Sequence, residues 1–526
     1  MHPTPVSSPW RRAASAAGAL TLLALFAGCA TYEAQTQSFN QASKSGSIGA
    51  AIAQIDQQAA KAAGSKDEIV YRLEQGATLR TAALSDPATL PSIVPPPAPV
   101  KKGEEPPPPA PAPTPVEITA HYAKRALAAF DQAEARVNKY EDEARTKVGS
   151  EFGALLTNQA SLPYRGRAYD KVMMNTYKAL TYLQLGEKDK ARVELNRALQ
   201  RQRDAVADNQ KRIAAAQEAA EKAARGELKD ESGKSASYDS KKALADPHTG
   251  PALQAALDAS VAPLKPYGDY VNPFAVFLDG LFFSVLGETG DDWERGRKSF
   301  ERVAALVPEN DYLRADAEAA ARAAEGQAPA GVTYVIFETG AAPRRTETRI
   351  DIPTFAFTSK LAYVGAAFPK LVFNGDYFGG LSILADGRSH TTALVASMDS
   401  VVANDFKNEW PAVVTKTLIA TATKAIIAAS VQREMEEKNG ALAGLLTGLA
   451  LGGLNAATTI ADTRTWTSLP KEFHYARLAT PASRELTVAA GPNQQTIKLS
   501  DGTVNVVYVK SASVNAPLLV SQFALK

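Results

Sequence analysis

The sequence predicts an α+β protein, with N-terminal tetratricopeptide-like helical hairpins followed by a mostly β C-terminal domain that carries a buried helical insertion. Three observations lead there. Between residues 48 and 326 apolar residues recur at helical spacing, and three times they adopt the small-large-small pattern of closely packed hairpin helices. From Val332 the pattern changes to short β-branched and aromatic runs separated by Asn374-Gly375, Asp386-Gly387 and Asp501-Gly502. Inside that β region, residues 399–461 revert to a long, sparsely charged helical composition.

In chain order, Arg11 and Arg12 precede an apolar run, Gly18 to Gly28, that ends at Cys29, the single cysteine. The run has the length of a secretory core and is too short to span a bilayer. Leu25-Phe-Ala-Gly-Cys29 resembles a bacterial lipobox, so residues 1–28 are expected to be a lipoprotein signal peptide and Cys29 the acylated residue. Acyl chains contribute about 0.8 kcal/mol per buried CH₂, which makes the anchor effectively permanent. Ala30 follows, and by the sorting rule of enterobacterial lipoproteins the expected address is the outer membrane, facing the periplasm. Residues 29–47, rich in Gln, Ser and Gly without a clear period, read as a flexible leash.

A TPR-like helical domain is expected over 48–326. Ile48, Ile52 and Ile55 mark one helix and Asp67 to Ala83 a second. Thirteen of the 32 prolines then lie in 87–115, an insertion that reads as extended or polyproline II. Beyond it, Ala126, Phe130 and Ala133 form the second-helix signature of a hairpin, in which small residues let helices approach and a large one fills the groove. Gly76 and Leu79 suit the first helix of that hairpin, which places the proline block inside it. A second copy uses Ala179, Tyr182, the turn residue Gly186, then Ala191, Leu195 and Ala198. A third uses Gly280, Phe283, Gly296, Phe300 and Pro308, with Val303 where a small residue is usual. Between the last two copies, 201–250 reads as a charged extension with a polar, mobile end, and Tyr312 to Glu325 as a polar capping helix.

The C-terminal domain is expected over 331–526. Strands are read at 332–337, 361–365, 381–384 and 390–395, then at 472–479, 484–488, 495–499 and 504–509, the last four forming a small sandwich. The helical stretch lies between, with Pro411 placed to begin its longest part. Gly444, Gly448 and Gly452 form a small-xxx-small row suited to packing on that helix or to membrane contact.

Lys plus Arg (58) nearly equals Asp plus Glu (56), which argues against nucleic acid as a partner. The sequence carries no phosphate-cradling loop, nucleophile elbow or paired metal-binding histidines, and its five histidines are scattered. A non-enzymatic protein with no cofactor and no metal is therefore expected. The densest polar and aromatic group is Ala461-Asp-Thr-Arg-Thr-Trp-Thr-Ser-Leu-Pro470. Asp462, Arg464 and Trp466 form either a recognition surface or a latch beneath the β domain.

Together, Tyr164-Arg-Gly-Arg-Ala-Tyr-Asp-Lys-Val-Met-Met-Asn175, Tyr270-Val-Asn-Pro-Phe274, Arg349-Ile-Asp-Ile-Pro353 and Ala461-Asp-Thr-Arg-Thr-Trp466 resemble an uncharacterised conserved family of Gram-negative lipoproteins. The resemblance covers most of the mature chain, departs from it at the proline block, and implies tetratricopeptide-like helices ahead of a C-terminal domain without an established activity. It further suggests lipoproteins associated with activators of peptidoglycan synthases as a partner class. The expected function is an envelope scaffold for a protein partner. The alternative is binding of peptidoglycan or another envelope polymer through Trp466, Tyr363 or Trp410.

Overall fold

The computed structural model describes residues 32–94, 111–146, 159–229, 233–262, 264–268, 270–327, 329–354, 363–440 and 460–526. Residues 1–28, expected to be a signal peptide, Cys29, the centre of the proline block and the Gly444, Gly448 and Gly452 row lie outside them.

Twelve α-helices of the described residues run α1 (Tyr32–Lys44), α2 (Ile48–Ala62), α3 (Glu68–Ala83), α4 (Pro115–Thr146), α5 (Ala168–Gln184), α6 (Lys188–Ala224), α7 (Ser240–Leu244), α8 (Thr249–Val261), α9 (Pro273–Leu286), α10 (Gly290–Leu306), α11 (Asp311–Ala324) and α12 (Met398–Asn439). The first eleven precede a β-rich region into which α12 is inserted. Their starts are written locally. Asn272 and Asn310 accept backbone N–H bonds at the first turns of α9 and α11, Thr289 does so for α10 and Ser397 for α12.

Three antiparallel hairpins organise the helices. In the first, Glu68 lies 3.3 Å from Arg136, and Gly76 lies so close to Phe130 that an added Cβ would sit 2.5 Å from the ring. Leu79 and Ala83 meet Tyr122 and Ala126 at the other end. α3 and α4 are thus partners across the proline block, whose near flank is docked by the Tyr122 hydroxyl donating to the Pro91 carbonyl at 3.0 Å. α5 and α6 form the second hairpin, with Gly186 at φ +76° in the turn. α9 and α10 form the third and repeat the first contact, since a Cβ on Gly280 would lie 3.0 Å from Phe300.

The strands are β1 (Val332–Thr339), β2 (Arg344–Pro353), β3 (Tyr363–Val372), β4 (Ser382–Ala385), β5 (Arg388–Thr391), β6 (Ala393–Ser397), β7 (Glu472–Ala479), β8 (Glu485–Ala490), β9 (Asn493–Lys498), β10 (Val504–Ser511) and β11 (Leu519–Ala524). A five-stranded sheet has the order β11-β10-β1-β7-β6, with β1 and β10 parallel. A second sheet runs β5-β4-β8-β9, and β2 pairs with β3. Alternation along the central strands separates two cores. Val335, Phe337, Ala476, Leu478, Val507 and Val509 face the second sheet. Tyr334, Ile336, Phe473, Tyr475, Val506 and Tyr508 face the helices, in one core with residues of α1, α3, α5 and α9.

Several expectations are corrected. The segment read as a leash contains α1, which buries Tyr32, Phe39 and Ala42, and the carbonyl of Lys44 accepts a 2.8 Å bond from Ser513. Its apolar residues are too sparse to show a period, and neighbours far along the chain bury them. Pro411 lies inside a continuous α12 instead of beginning a helix. Phe406 and Trp410 before it, and Ala412 and Val414 after it, are all buried, and this packing holds the helix through the lost backbone bond. The polar end of the extension is also docked: the Tyr238 hydroxyl donates to the Pro353 carbonyl at 3.0 Å and Thr249 to that of Asp351 at 2.8 Å. The last strands do not form a sandwich among themselves. β7 and β10 flank β1, while β8 joins β4, so the sandwich is built from both halves of the domain.

Candidate functional site

The first helices of the hairpins, α3, α5 and α9, carry the side chains that meet the sheet. Phe274 stacks on Phe473 with ring centroids 3.7 Å apart, and Phe277 meets Tyr475 at 4.6 Å. Beside them Glu338 is fully buried on β1, where it accepts from Arg80 at 2.9 Å, Tyr177 at 3.0 Å and Tyr508 at 2.5 Å, and also pairs with Lys510. Burial alone would raise the Glu338 pKa, but Lys510 and Arg80 overcome it and hold the carboxyl at about 2. A lone buried carboxylate is costly, and two cations with two hydroxyls make this one tolerable.

The Asp462 to Ser468 segment runs along the same seam. Trp466 is completely buried, with ring centroids 5.9 Å from Phe130 and 5.8 Å from Tyr177, and its indole N–H donates to Ser468 at 2.8 Å. Arg464 is 4 % exposed and uses all of its donors: Nε and Nη2 hold Asp462, Nη1 holds Asp67 and the Leu162 carbonyl, and Nη2 also reaches the Gln159 carbonyl. Glu74 receives the Thr467 and Ser468 backbone N–H groups, the Thr467 hydroxyl and the Tyr32 hydroxyl. Asp462, Arg464 and Trp466 therefore fasten the β region to α3, α4 and α5, and Trp466 offers no surface for stacking. Trp410 is also buried, at 6 % exposure, whereas Tyr363 is 41 % exposed.

On the outer side of Arg464 a cleft of about 330 Å³ opens between the 159–167 loop, α12, β2–β3 and the residues around Ala461. Glu409 sits in its wall, held by Arg167 at 2.7 Å and by Arg345. Burial opposes ionisation of Glu409, and Arg167 and Arg345 outweigh it and lower its pKa. Deeper still, burial and then the neighbouring Glu409 raise Asp405 to about 7. Arg345 is 2 % exposed, lies over the Phe406 ring at 5.1 Å, and leaves Nε and Nη2 without a hydrogen-bond partner; Arg167 leaves Nε so. Once Asp462 is paired with Arg464, six cations line the cleft: Arg165, Arg167, Arg212, Arg345, Lys416 and Lys424. Glu409 is the one other carboxylate among the described lining residues. Ala412, Val413, Ala420, Ile460 and Pro369 supply an apolar side.

The packing residues expected from sequence fall within the hairpins. Gly76, Leu79, Ala126, Phe130 and Ala133 are in the first, and Ala179, Ala191, Leu195 and Ala198 are buried in the second with Tyr182 at its edge. Phe283, Gly296, Phe300 and Val303 are buried in the third; a Cβ on Gly296 would meet Ser284, and Pro308 is exposed beyond the end of α10. Two stretches singled out in the sequence, Tyr164 to Arg167 and Ala461 to Arg464, meet at the cleft although almost 300 positions separate them. Sequence reasoning missed Arg345, Glu409, Arg80 and Glu338. The available signal was an ionisable residue placed in an otherwise apolar run, as Glu338 is after Val335-Ile-Phe337.

Fold and site thus define a protein of helical hairpins whose inner helices are covered by its own sheet, with a basic cleft at the junction. The chain matches no family model, no curated protein and no solved structure.

Proposed function

We propose that the chain is a non-enzymatic envelope protein, anchored by acylated Cys29 to the periplasmic face of the outer membrane, that acts as a scaffold for a protein partner. The supporting observation is the arrangement of the hairpins. Helical repeat proteins use a concave surface for binding, but here the sheet covers α3, α5 and α9. The sides of the second helices that α11 and α12 do not cover are left for a partner, and there α6 and α10 present a charged surface that includes Arg203, Asp291, Glu294, Lys298 and Arg302, with Val193 and Val206 exposed on α6. The resemblance of the quoted stretches to Gram-negative lipoproteins supports the anchored location.

The test is photocrosslinking in intact cells from Arg203 or Lys298, with Gln495 on the opposite sheet as the control position. A defined adduct from the α6–α10 surface and none from Gln495 is expected. Equal, diffuse labelling from all three would refute the scaffold. Binding of peptidoglycan retains Tyr363 as its exposed aromatic, and unchanged retention of Tyr363→Ala on purified sacculi would remove that support.

A further inference from the structure

We infer that the groove between α6 and α10 docks an acidic amphipathic helix of a protein partner, whose carboxylates sit between Arg203 and Arg302. The inference rests on the scaffold reading and names the chemistry of the partner that this surface takes.

The two helices run side by side in the same direction, and polar pairs fix their register. Lys188 meets Glu288 at 3.0 Å, Arg192 pairs with Asp292, and Asn196 accepts from Arg295 at 2.5 Å. Each rung joins residues 99 or 100 positions apart, so two turns further on the same register sets Arg203 opposite Arg302. Both are exposed, and both line one groove of about 630 Å³. The ladder of complementary pairs therefore ends on two like charges, which repel until an anion stands between them.

The carboxylates of the groove are spent elsewhere or out of reach. Asp279 on its floor is held by Arg295 at 2.5 Å and by Ser299 at 2.7 Å, and Glu294 by Arg297 at 2.6 Å and Lys298 at 3.4 Å. Asp291 lies at the far end of the α10 stripe, about 16 Å from Arg302 at the helical rise. No acidic residue stands three or four positions from either arginine on its own helix. Apolar footing lies on both sides of Arg203, with Leu199 half-buried one turn before it and Val206 40 % exposed one turn after it. A groove between two parallel helices accepts the ridge of a third, and such a helix places its anchors at the spacing of Leu199 and Val206. Carboxylates carried between those anchors meet the guanidinium forks, whose planar geometry suits them. Because the arginines remain near water, these pairs contribute modestly to affinity and mainly select the partner.

The experiment follows, by fluorescence polarisation, the binding of three labelled amphipathic peptides to the mature chain carrying Cys29→Ala. The peptides share a leucine face and differ only in having Glu, Gln or Lys beside it. The Glu peptide should bind about fivefold tighter than the Gln peptide at low ionic strength, and added salt should shrink the difference. Arg203→Glu combined with Arg302→Glu removes no contact within the protein, so it should leave the far-UV spectrum and unfolding unchanged while reversing the order in favour of the Lys peptide. Equal binding of the three peptides, no binding of any, or a preference for Glu that survives the charge swap overturns the acidic partner. Without selection among the peptides, self-association that the swap abolishes would assign the arginines to a second copy, and pelleting with phosphatidylglycerol vesicles would assign them to a lipid surface; both overturn it as well. Crosslinking from Lys298 in cells separates this inference from the scaffold itself. An adduct of undiminished yield in the charge-swapped chain leaves the scaffold standing and removes the acidic partner, whereas no adduct in the parent fails both.

Discussion

Replacing Arg464 by alanine should destabilise the whole protein, because one side chain joins three distant parts of the chain. Its guanidinium carries five N–H donors. In the native state they reach both oxygens of Asp462, Asp67, and the Leu162 and Gln159 carbonyls. Breaking a buried ion pair from one side typically costs about 3–5 kcal/mol, since the remaining partners keep their desolvation cost. Asp67 and Asp462 are 25 % and 24 % exposed, so water relieves part of it and about 3 kcal/mol is the expected loss. Arg464→Lys retains the charge with three donors in another geometry and should lose about half as much. Urea unfolding of the mature chain, followed by tryptophan fluorescence and far-UV circular dichroism, measures both. Since one core contains residues of α1, α3, α5, α9 and the five-stranded sheet, the two probes should also report a single transition. An Arg464→Ala protein within about 0.5 kcal/mol of the parent would place it among ordinary surface substitutions and refute the latch. Combining it with Asp67→Asn gives a double-mutant cycle, in which coupling of about 1–3 kcal/mol is expected for groups in one network.

Four further outcomes are expected. Phe39→Ala, at a completely buried position of α1, should cost about 3–5 kcal/mol and make residues 32–47, resistant in the parent, sensitive to limited proteolysis; cleavage there in the parent already, at the same rate as in the variant, would return this segment to an undocked leash. Gly76→Val should cost about 1–3 kcal/mol by overpacking Phe130, and Phe130→Leu should restore part of it in the same unfolding assay; additive losses would contradict the contact. Glu338 titrates at 4.5 when unfolded and about 2 when folded, so its contribution is complete above 4.5 and disappears as pH falls towards 2, whereas Glu338→Gln should abolish that part of the acid sensitivity. Asp316 runs the other way. Burial raises it from 3.8 to about 6, against the pull of Arg477, so its effect favours folding below 3.8 and fades as pH rises through 6, and Asp316→Asn should flatten stability between those values.

Under the proposed acylation of Cys29, Tyr32 at the start of α1 stands three residues further along the chain, a reach of roughly 10 Å when extended, and the helical hairpins would lie against the membrane.

By itself the sequence determined the succession of helical hairpins, then a β-rich region with a helix inserted, and the pairing of α3 with α4 across the proline block. Those features are written in local spacing: a glycine on a helical face leaves room for one aromatic of the facing helix, and Gly76 with Phe130 and Gly280 with Phe300 use the same room twice. It left open whether Trp466 was surface or latch, and it gave no sign that the hairpins' inner helices were already occupied. Tertiary structure decided both. Burial of Trp466 depends on Phe130 and Tyr177, hundreds of positions away, and the parallel pairing of β1 with β10 depends on contacts across the entire C-terminal region. The cleft was decided in the same way. Tyr164 to Arg167, Arg345, Glu409 and Ala461 share no local period, and only the packing of α12 against α6 and β3 brings them to one wall. Spacing records which neighbours a helix can accept; which distant charges end up facing each other is fixed by the packing of the whole chain.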